Sequence, residues 1–143
     1  MELFTNIPTF PLAELHIRDS NAPPWYLGTP YSKYPSGHES AARQAAIIVA
    51  DLLRHGIDAY SPIVHSHSVA VHGKINPMNF ELWHKYNNRM IHAAWGFLIA
   101  KLPGWQDSEG IKMEVKQFLE IQKPIGFLDI EFENPMPMGM DWA

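Results

Sequence analysis

The stretch of sequence that decides the fold is residues 97–128, FLIAKLPGWQDSEGIKMEVKQFLEIQKPIGFL. It opens with an apolar run, residues 97–100, that a Pro-Gly pair ends, as is typical of a buried strand. Asp107 or Ser108 can then cap a helix with apolar residues at helical spacing. The residues on that face are Ile111, Val115, Phe118 and Gln122. A second apolar run follows at 124–128, so the stretch predicts a strand, a helix and another strand.

The same alternation is found nearer the N-terminus. Residues 25–27 and 57–61 are short apolar runs bounded by proline or glycine, and they predict two earlier strands. Between them, Ser36 and Glu39 have the spacing of a capping box, and a helical pattern of apolar residues continues to Gly56. This part of the chain therefore predicts a strand, a helix and a strand.

A long loop is predicted after the second of these strands. It carries His65, His67 and His72. Asn76 and Pro77 then form a typical helix start. The helix that they begin is predicted to carry Phe80, Trp83, Tyr86 and Met90.

Strands that alternate with helices of this length predict a parallel sheet with helices on both faces. Right-handed crossovers favour a three-layer, Rossmann- or flavodoxin-like α/β fold whose sheet has four to five strands. The strand order 2-1-3-4 would place a crevice at the carboxyl ends of the first and third predicted strands. We expect an irregular leader over residues 1–23, a single domain over 24–130 and an irregular tail over 131–143.

Composition excludes several classes of protein. The 143 residues contain 11 Lys and Arg against 15 Asp and Glu, a net charge of −4, which gives no reason to expect a nucleic acid or an anionic membrane as partner. No cysteine is present, which rules out disulfides, iron–sulfur clusters and a cysteine nucleophile. A signal peptide and a membrane-spanning segment are not predicted either, so we expect a cytoplasmic protein.

Two segments flank the predicted crevice. One is residues 102–110, where the amides of a helix start can hold a phosphate or carboxylate, although an ordinary helix cap has the same residues. The other is the turn after the first strand, formed by Gly28, Thr29, Pro30, Tyr31 and Ser32.

Glu114 is the most informative residue near this crevice. Helical geometry places it beside the apolar stripe of its helix, where a carboxylate is partly desolvated and its pKa rises. The alternative is a glutamate at the boundary that turns to solvent or pairs with Lys112 or Lys116. The helical pattern leaves both interpretations open.

Three motifs in register over residues 25–128 resemble the nucleoside 2-deoxyribosyltransferases and the related nucleoside 5′-monophosphate N-glycosidases, particularly their small bacterial and phage members. The motifs are the segments 26–32, 61–67 and 102–108. A fourth element, Ser108-x-Gly110-x-x-x-Glu114, continues the third.

The resemblance implies a function and a set of roles. Glu114 would be the nucleophile that attacks the anomeric carbon of a nucleoside or nucleotide, in a reaction without cofactor or metal. Ser108 and the helix amides would bind a 5′-phosphate or sugar hydroxyl, and Gly110 would let the substrate approach the backbone. Tyr31 and the turn at Gly28 would line the pocket. Relatives assemble as homodimers or larger homo-oligomers, so we expect the same here.

The sequence departs from the family at the groups that protonate the leaving base. Family members carry acidic residues near the end of the helix before the third strand, where this chain has Asn88 and its neighbours. An asparagine can orient a base but cannot donate an acid proton at neutral pH. Asp107, Glu109 or a loop histidine would then supply the proton, or turnover is slow, or the protein only binds its ligand.

Other features of the sequence leave two alternative functions open, a metal-dependent hydrolase and a non-catalytic binding protein. His65 and His67 could hold a metal ion in a metal-dependent hydrolase, contact the substrate, or belong to a plain polar loop. Trp105, in a glycine-containing loop, is a candidate for stacking on a ligand. A non-catalytic nucleotide-binding or sensing protein on the same fold is the remaining alternative.

Overall fold

The computed structural model describes residues 2–11, 15 and 21–129. These residues build a parallel sheet of five strands in the order β1-β5-β4-β2-β3. The strands are β1 (Thr9–Pro11), β2 (Trp25–Gly28), β3 (Ala59–Tyr60), β4 (Phe97–Ile99) and β5 (Ile125–Asp129).

The order of the last four strands is the one that the sequence predicts. The chain runs from β2 outward to β3, then crosses back over β2 to form β4 on the other side. The direction of winding therefore reverses between β2 and β4, and at their carboxyl ends Gly28 is in register with Ile99. In an open parallel sheet such a reversal leaves a crevice beyond the strand ends.

Four helices accompany the sheet. They are α1 (His38–Arg54), α2 (Pro62–Gly73), α3 (Phe80–Ala93) and α4 (Glu109–Glu120), with short 3-10 turns at Glu2–Phe4 and Trp105–Asp107. No described helix has the length and apolar character needed to cross a lipid bilayer.

The side chains of each strand alternate between two cores, as the pleat of a strand requires. Trp25 and Leu27 face the core on which α1 packs with Ile48 and Leu52. Tyr26 faces the opposite core, which α3 and α4 cover. The α4 residues in that core are Ile111, Val115 and Phe118. Helices on both faces of one parallel sheet confirm the predicted three-layer α/β fold.

The N-terminal segment departs from the predicted irregular leader. Residues 9–11 form β1, which pairs in parallel with β5 through Thr9 and Phe127. The pattern of these few residues is too short for strand periodicity, and proline is unusual in a strand except at an edge. The predicted tail, residues 131–143, lies outside the described residues.

Two predicted helix starts are wrong. The residue before α1 is Gly37, and no side chain caps that helix, so the Ser36–Glu39 capping box does not form. Helix α3 is capped by Asn79, whose side chain accepts a hydrogen bond from Leu82 N, while Asn76 accepts one from Met78 N in the preceding turn. Of the two predicted caps of α4, Asp107 and Ser108, it is Ser108 that caps the helix.

The predicted histidine loop is also wrong, because residues 62–73 form helix α2. Ser61 caps this helix through a hydrogen bond from Val64 N, and Pro62 occupies its first turn. Both residues are favourable helix-start signals. Only Pro62 and Ala70 of this helix are buried, so it has no clear apolar stripe that would reveal it in the sequence.

Candidate active site

A cavity opens beyond the carboxyl ends of β2 and β4, where the sheet reverses its winding. The space in it that a water-sized molecule can reach is about 80 Å³, and its mouth is open to solvent. The turn after β2 lines it, together with residues of α2, α3 and α4. The predicted site residues that the structure brings to this cavity are Thr29, Tyr31, Ser32, Ser108, Gly110 and Glu114.

Glu114 lies in the second turn of α4, and its carboxyl faces both the cavity and the sheet. The hydroxyl of Tyr26, a fully buried residue of β2, donates a hydrogen bond to Glu114 Oε2 over 2.5 Å. Burial raises the pKa of Glu114 to about 8, and the bond from Tyr26 opposes that rise because it stabilises the charged form. Among the described residues Glu114 forms no salt bridge with Lys112 or Lys116, and Lys112 pairs with Glu109 instead.

Tyr26 has a perturbed pKa for related reasons. Its burial, and then the neighbouring Glu114 carboxyl, raise the pKa of the phenol well above its ordinary value. The hydroxyl therefore keeps its proton and acts as a hydrogen-bond donor to Glu114. A fixed donor of this kind is what orients a carboxylate before it reacts.

Ser108 and Gly110 form the start of α4 on the cavity wall. Ser108 Oγ accepts a hydrogen bond from Ile111 N over 3.2 Å, so the side chain holds the first turn of the helix in place. Gly110 has no heavy atom other than Ser108 Oγ near the position of a Cβ, apart from its chain neighbours and its own helix backbone. The helix start is therefore open toward the cavity.

The turn after β2 is fixed by its contacts with two histidines. The Tyr31 ring stacks on His38 with ring centroids 4.2 Å apart, and its hydroxyl lies 2.7 Å from His67 Nδ1. Burial raises the pKa of Tyr31. His67 thus acts on the site through Tyr31 and does not itself line the cavity.

Two buried polar atoms of the cavity wall have no hydrogen-bond partner among the described residues. They are Thr29 Oγ1, in the turn after β2, and Asn87 Oδ1, on α3. A buried polar group without a partner costs about 1–3 kcal/mol. Such atoms are expected where a ligand or bound water completes the hydrogen bonding.

Several predicted site residues lie away from the cavity. Asp107 lies beside a separate hollow with Phe4 and Trp105. Trp105 packs edge-on against Phe4 and Phe127, with centroid distances of 5.0 Å and 5.2 Å, so its ring belongs to the apolar packing of the protein. Asn88 accepts a hydrogen bond from Gln117 over 3.1 Å, and its neighbour Asn87 lines the cavity instead.

Gly28 and Pro30 support the turn from below without lining the cavity. A Cβ at Gly28 would lie 2.4 Å from Phe97 Cε1, so this glycine allows the close packing of β2 on β4. Pro30 is among the fully buried side chains. Gly104, in the loop after β4, has a φ of 91° and approaches the Lys33 carbonyl so closely that a Cβ would be 2.2 Å from it. The two loops at the cavity mouth are therefore in direct contact.

The predicted metal alternative lacks its geometry. His65 and His67 are two positions apart on α2, so they point about 200° apart around the helix. His65 Nε2 lies 3.0 Å from the Tyr86 hydroxyl, whereas His67 contacts Tyr31. Within residues 2–11, 15 and 21–129, no three His, Asp or Glu side chains are arranged to hold a metal ion.

Sequence reasoning missed the wall that α3 contributes. Phe80, Trp83, His84 and Asn87 all line the cavity. Their spacing of three and four residues puts them on one helix face, which is the signal that could have grouped them. Gln117, one turn after Glu114 on α4, lines the cavity as well.

A family model matches residues 23–129, which include every residue named above as lining the cavity. The chain belongs to the DUF1937 family. DUF1937 is described as a domain of unknown function. A search of curated proteins found no match.

Proposed function

We propose that this DUF1937 protein cleaves or transfers the N-glycosidic bond of a nucleoside or nucleotide, with Glu114 as the nucleophile. The observation that carries the proposal is a buried carboxyl, held by Tyr26 and open to a cavity at the reversal point of the sheet. A buried carboxyl in such a cleft is costly to maintain and is typical of a functional group.

A carboxylate at this position is suited to the cleavage of an N-glycosidic bond. Breaking an N-glycosidic bond develops positive charge at the anomeric carbon, which a nearby carboxylate stabilises and then captures. The Tyr26 hydroxyl would occupy one carboxylate oxygen and leave the other free to attack. The glycosyl ester would then be released by water or by a second base.

The cavity is suited to a ligand that is part aromatic and part polar. Phe80 and Trp83 offer apolar surface, while Thr29 and Asn87 offer unpaired hydrogen-bonding atoms. A nucleoside has a flat base and a sugar rich in hydroxyl groups, so it matches both kinds of surface.

The test is release of free base from a panel of ribo- and deoxyribonucleosides and their 5′-monophosphates, measured by chromatography. The wild-type protein is compared with Glu114→Gln, which keeps the shape of the side chain but cannot attack. Glu120→Gln is the matched control, because Glu120 is an exposed residue at the end of the same helix. We expect base release by the wild type and the control, and a loss of at least about 1,000-fold in Glu114→Gln.

Absence of base release from every substrate would contradict the proposal, as would equal rates for Glu114→Gln and the wild type. A non-catalytic binding protein is favoured by one observation. With a pKa of about 8, Glu114 is mostly protonated at pH 7 in the free protein, and a neutral carboxyl is a good hydrogen-bond donor to a ligand. Binding of a panel member without base release would support that function.

A further inference from the structure

The proposed cleavage needs a proton for the departing base, and the residues expected to supply it are elsewhere. Asp107 belongs to a separate hollow, and Glu109 is exposed and paired with Lys112. His65 and His67 are outside the cavity wall. Among the described residues that line the cavity, the ionisable side chains are Tyr31, His84 and Glu114.

Tyr31 is poorly placed to be the donor. Its hydroxyl is engaged by His67 and its ring is held against His38. Burial raises the pKa of the phenol above 10, which makes it a weaker acid than a free tyrosine. Since Glu114 is the nucleophile, His84 is the remaining ionisable group of the described wall.

His84 lies in the cavity wall, and its ring nitrogens are available for hydrogen bonding, as a proton donor requires. It lies on α3, three residues before Asn87 and therefore on the same helix face. Its ring packs against Phe80 with centroids 5.9 Å apart and planes tilted by 21°. Among the described residues neither ring nitrogen makes a hydrogen bond, and Asn87 Oδ1 beside it is buried without a partner.

We propose that His84 donates the proton to the leaving base, while Asn87 holds the edge of that base by hydrogen bonds. This inference rests on the function proposed above, and it assigns the protonation and binding of the leaving base to residues of α3. A ring nitrogen that donates and a carboxamide that both donates and accepts fit the edge of a nucleobase. Phe80 and Trp83 on the same face would contact the base plane.

The step balances as follows. A Glu114 oxygen forms a bond to the anomeric carbon as the bond from that carbon to the base nitrogen breaks, and its electron pair passes to the base. The N–H proton of the His84 imidazolium passes to the base, which leaves as a neutral molecule. Water then attacks the anomeric carbon, releases the Glu114 carboxylate and returns one proton to His84.

The two groups share a proton over the neutral pH range. Burial lowers the pKa of His84 from its ordinary 6.5 and raises that of Glu114 to about 8. Around neutral pH the two groups then hold one proton in total, on Glu114, and its transfer to His84 gives the reactive form with a charged acid and an ionised nucleophile. Tyr31 is the other titratable group of the described wall. On α3 itself, Glu81 and Lys85 pair with each other at the surface.

The test compares His84→Gln with the wild type on two substrates that share a sugar. One is the best natural substrate from the panel, and the other is the 4-nitrophenyl glycoside, whose leaving group departs without a proton. His92→Gln is the matched control, because His92 is an exposed histidine on the same helix and outside the cavity wall. We expect His84→Gln to lose about 100-fold in kcat/KM on the natural substrate and less than about 3-fold on the nitrophenyl glycoside.

The retained activity on the nitrophenyl glycoside also reports that the variant is folded. A second readout is the pH profile of kcat/KM on the natural substrate. The wild type should give a bell whose alkaline limb falls near pH 8, whereas His84→Gln should rise through the same pH because only Glu114 must then be ionised.

Equal losses on both substrates, or no loss on either, would overturn the role of His84 while leaving Glu114 chemistry intact. A wild-type rate that keeps rising above pH 8 would also overturn it. If the wild type cleaves neither substrate, both the proposed function and this inference are wrong.

Discussion

At the scale of the residue, desolvation of the Glu114 carboxylate lowers the free energy of unfolding. Its carboxyl lies between α4 and the sheet at the cavity wall, where it receives a hydrogen bond from Tyr26. Helical spacing places Glu114 beside the apolar stripe, but it leaves open whether the carboxyl is desolvated or turns to solvent. Its partner could not be foreseen, because Tyr26 is 88 positions away and its direction depends on the pleat of β2.

This cost makes the stability of the protein depend on pH. The folded-state pKa of Glu114 is about 8, above the ordinary value of 4.5, so the stabilising effect of its proton is complete below pH 4.5 and is lost as the pH rises to 8. We expect Glu114→Gln to gain stability relative to the wild type over that window, by about 4 kcal/mol between pH 4.5 and pH 8.5. Urea unfolding at pH 4.5 and pH 8.5 measures the difference.

Glu120→Gln serves as the control, since Glu120 is exposed on the same helix and its replacement should have little effect at either pH. A difference between Glu114→Gln and the wild type that is the same at both pH values would contradict the buried, protonated carboxyl.

At the scale of the element, one lysine satisfies the carbonyl groups at the end of α3. Lys123, in the turn before β5, donates hydrogen bonds from Nζ to the carbonyl oxygens of Ile91, His92 and Ala94, at 3.1, 2.5 and 2.6 Å. The last carbonyl groups of a helix have no partner within the helix. Lys123 therefore ties the end of α3, which carries a wall of the cavity, to the end of α4.

Replacing Lys123 with methionine should loosen this helix end. We expect Lys123→Met to lower the free energy of unfolding by about 2 kcal/mol, because charge-assisted hydrogen bonds to otherwise unsatisfied carbonyls are lost. Hydrogen exchange should also increase over the last turn of α3. Lys116→Met, at an exposed position of α4, is the control, and equal effects of the two variants would contradict the role of Lys123.

The elements differ in how well the sequence predicts them. Helix α4 is predicted correctly because its Ser108 cap and its apolar stripe agree. Helix α2 is missed because Val64, Val69 and Val71 lower helix propensity and few of its side chains are buried. The starts of α1 and α3 are wrong because capping residues occur in turns as readily as at helix ends.

At the scale of the whole molecule, the sheet order was predictable and the edge strand β1 was not. Short crossovers and handedness fix the order of β2 to β5 with few alternatives. Strand β1 is held in place by contacts between residues that are far apart in the sequence. The Phe10 ring lies over Gly126, where a Cβ would be 2.2 Å from it, and packs on Trp25. Likewise, the cavity wall needs α3 and α4 side by side, which no local pattern specifies.

The position of β1 predicts that a substitution in this strand lowers the stability of the protein without changing substrate binding. Phe10→Ala should lower the free energy of unfolding by about 2 kcal/mol, because the half-buried ring is removed from its site on β5. It should leave the KM for any substrate unchanged, since neither Phe10 nor its neighbour Trp25 lines the cavity.

Thermal unfolding and steady-state kinetics test this pair of outcomes. Thr9→Ala, at an exposed position of the same strand, is the control for stability. A change in KM beyond about 3-fold would show that the far edge of the sheet is coupled to the site.

The brevity of both edge strands bears on how the protein behaves when it is concentrated. Strand β1 has three residues and ends in Pro11, which has no amide hydrogen, and β3 has two residues. Sheets of neighbouring molecules join through long runs of unpaired edge amides, and neither edge strand, as far as the structure describes it, provides one. Self-association of this fold should therefore involve helix surfaces rather than sheet extension, and fibril formation should require unfolding first.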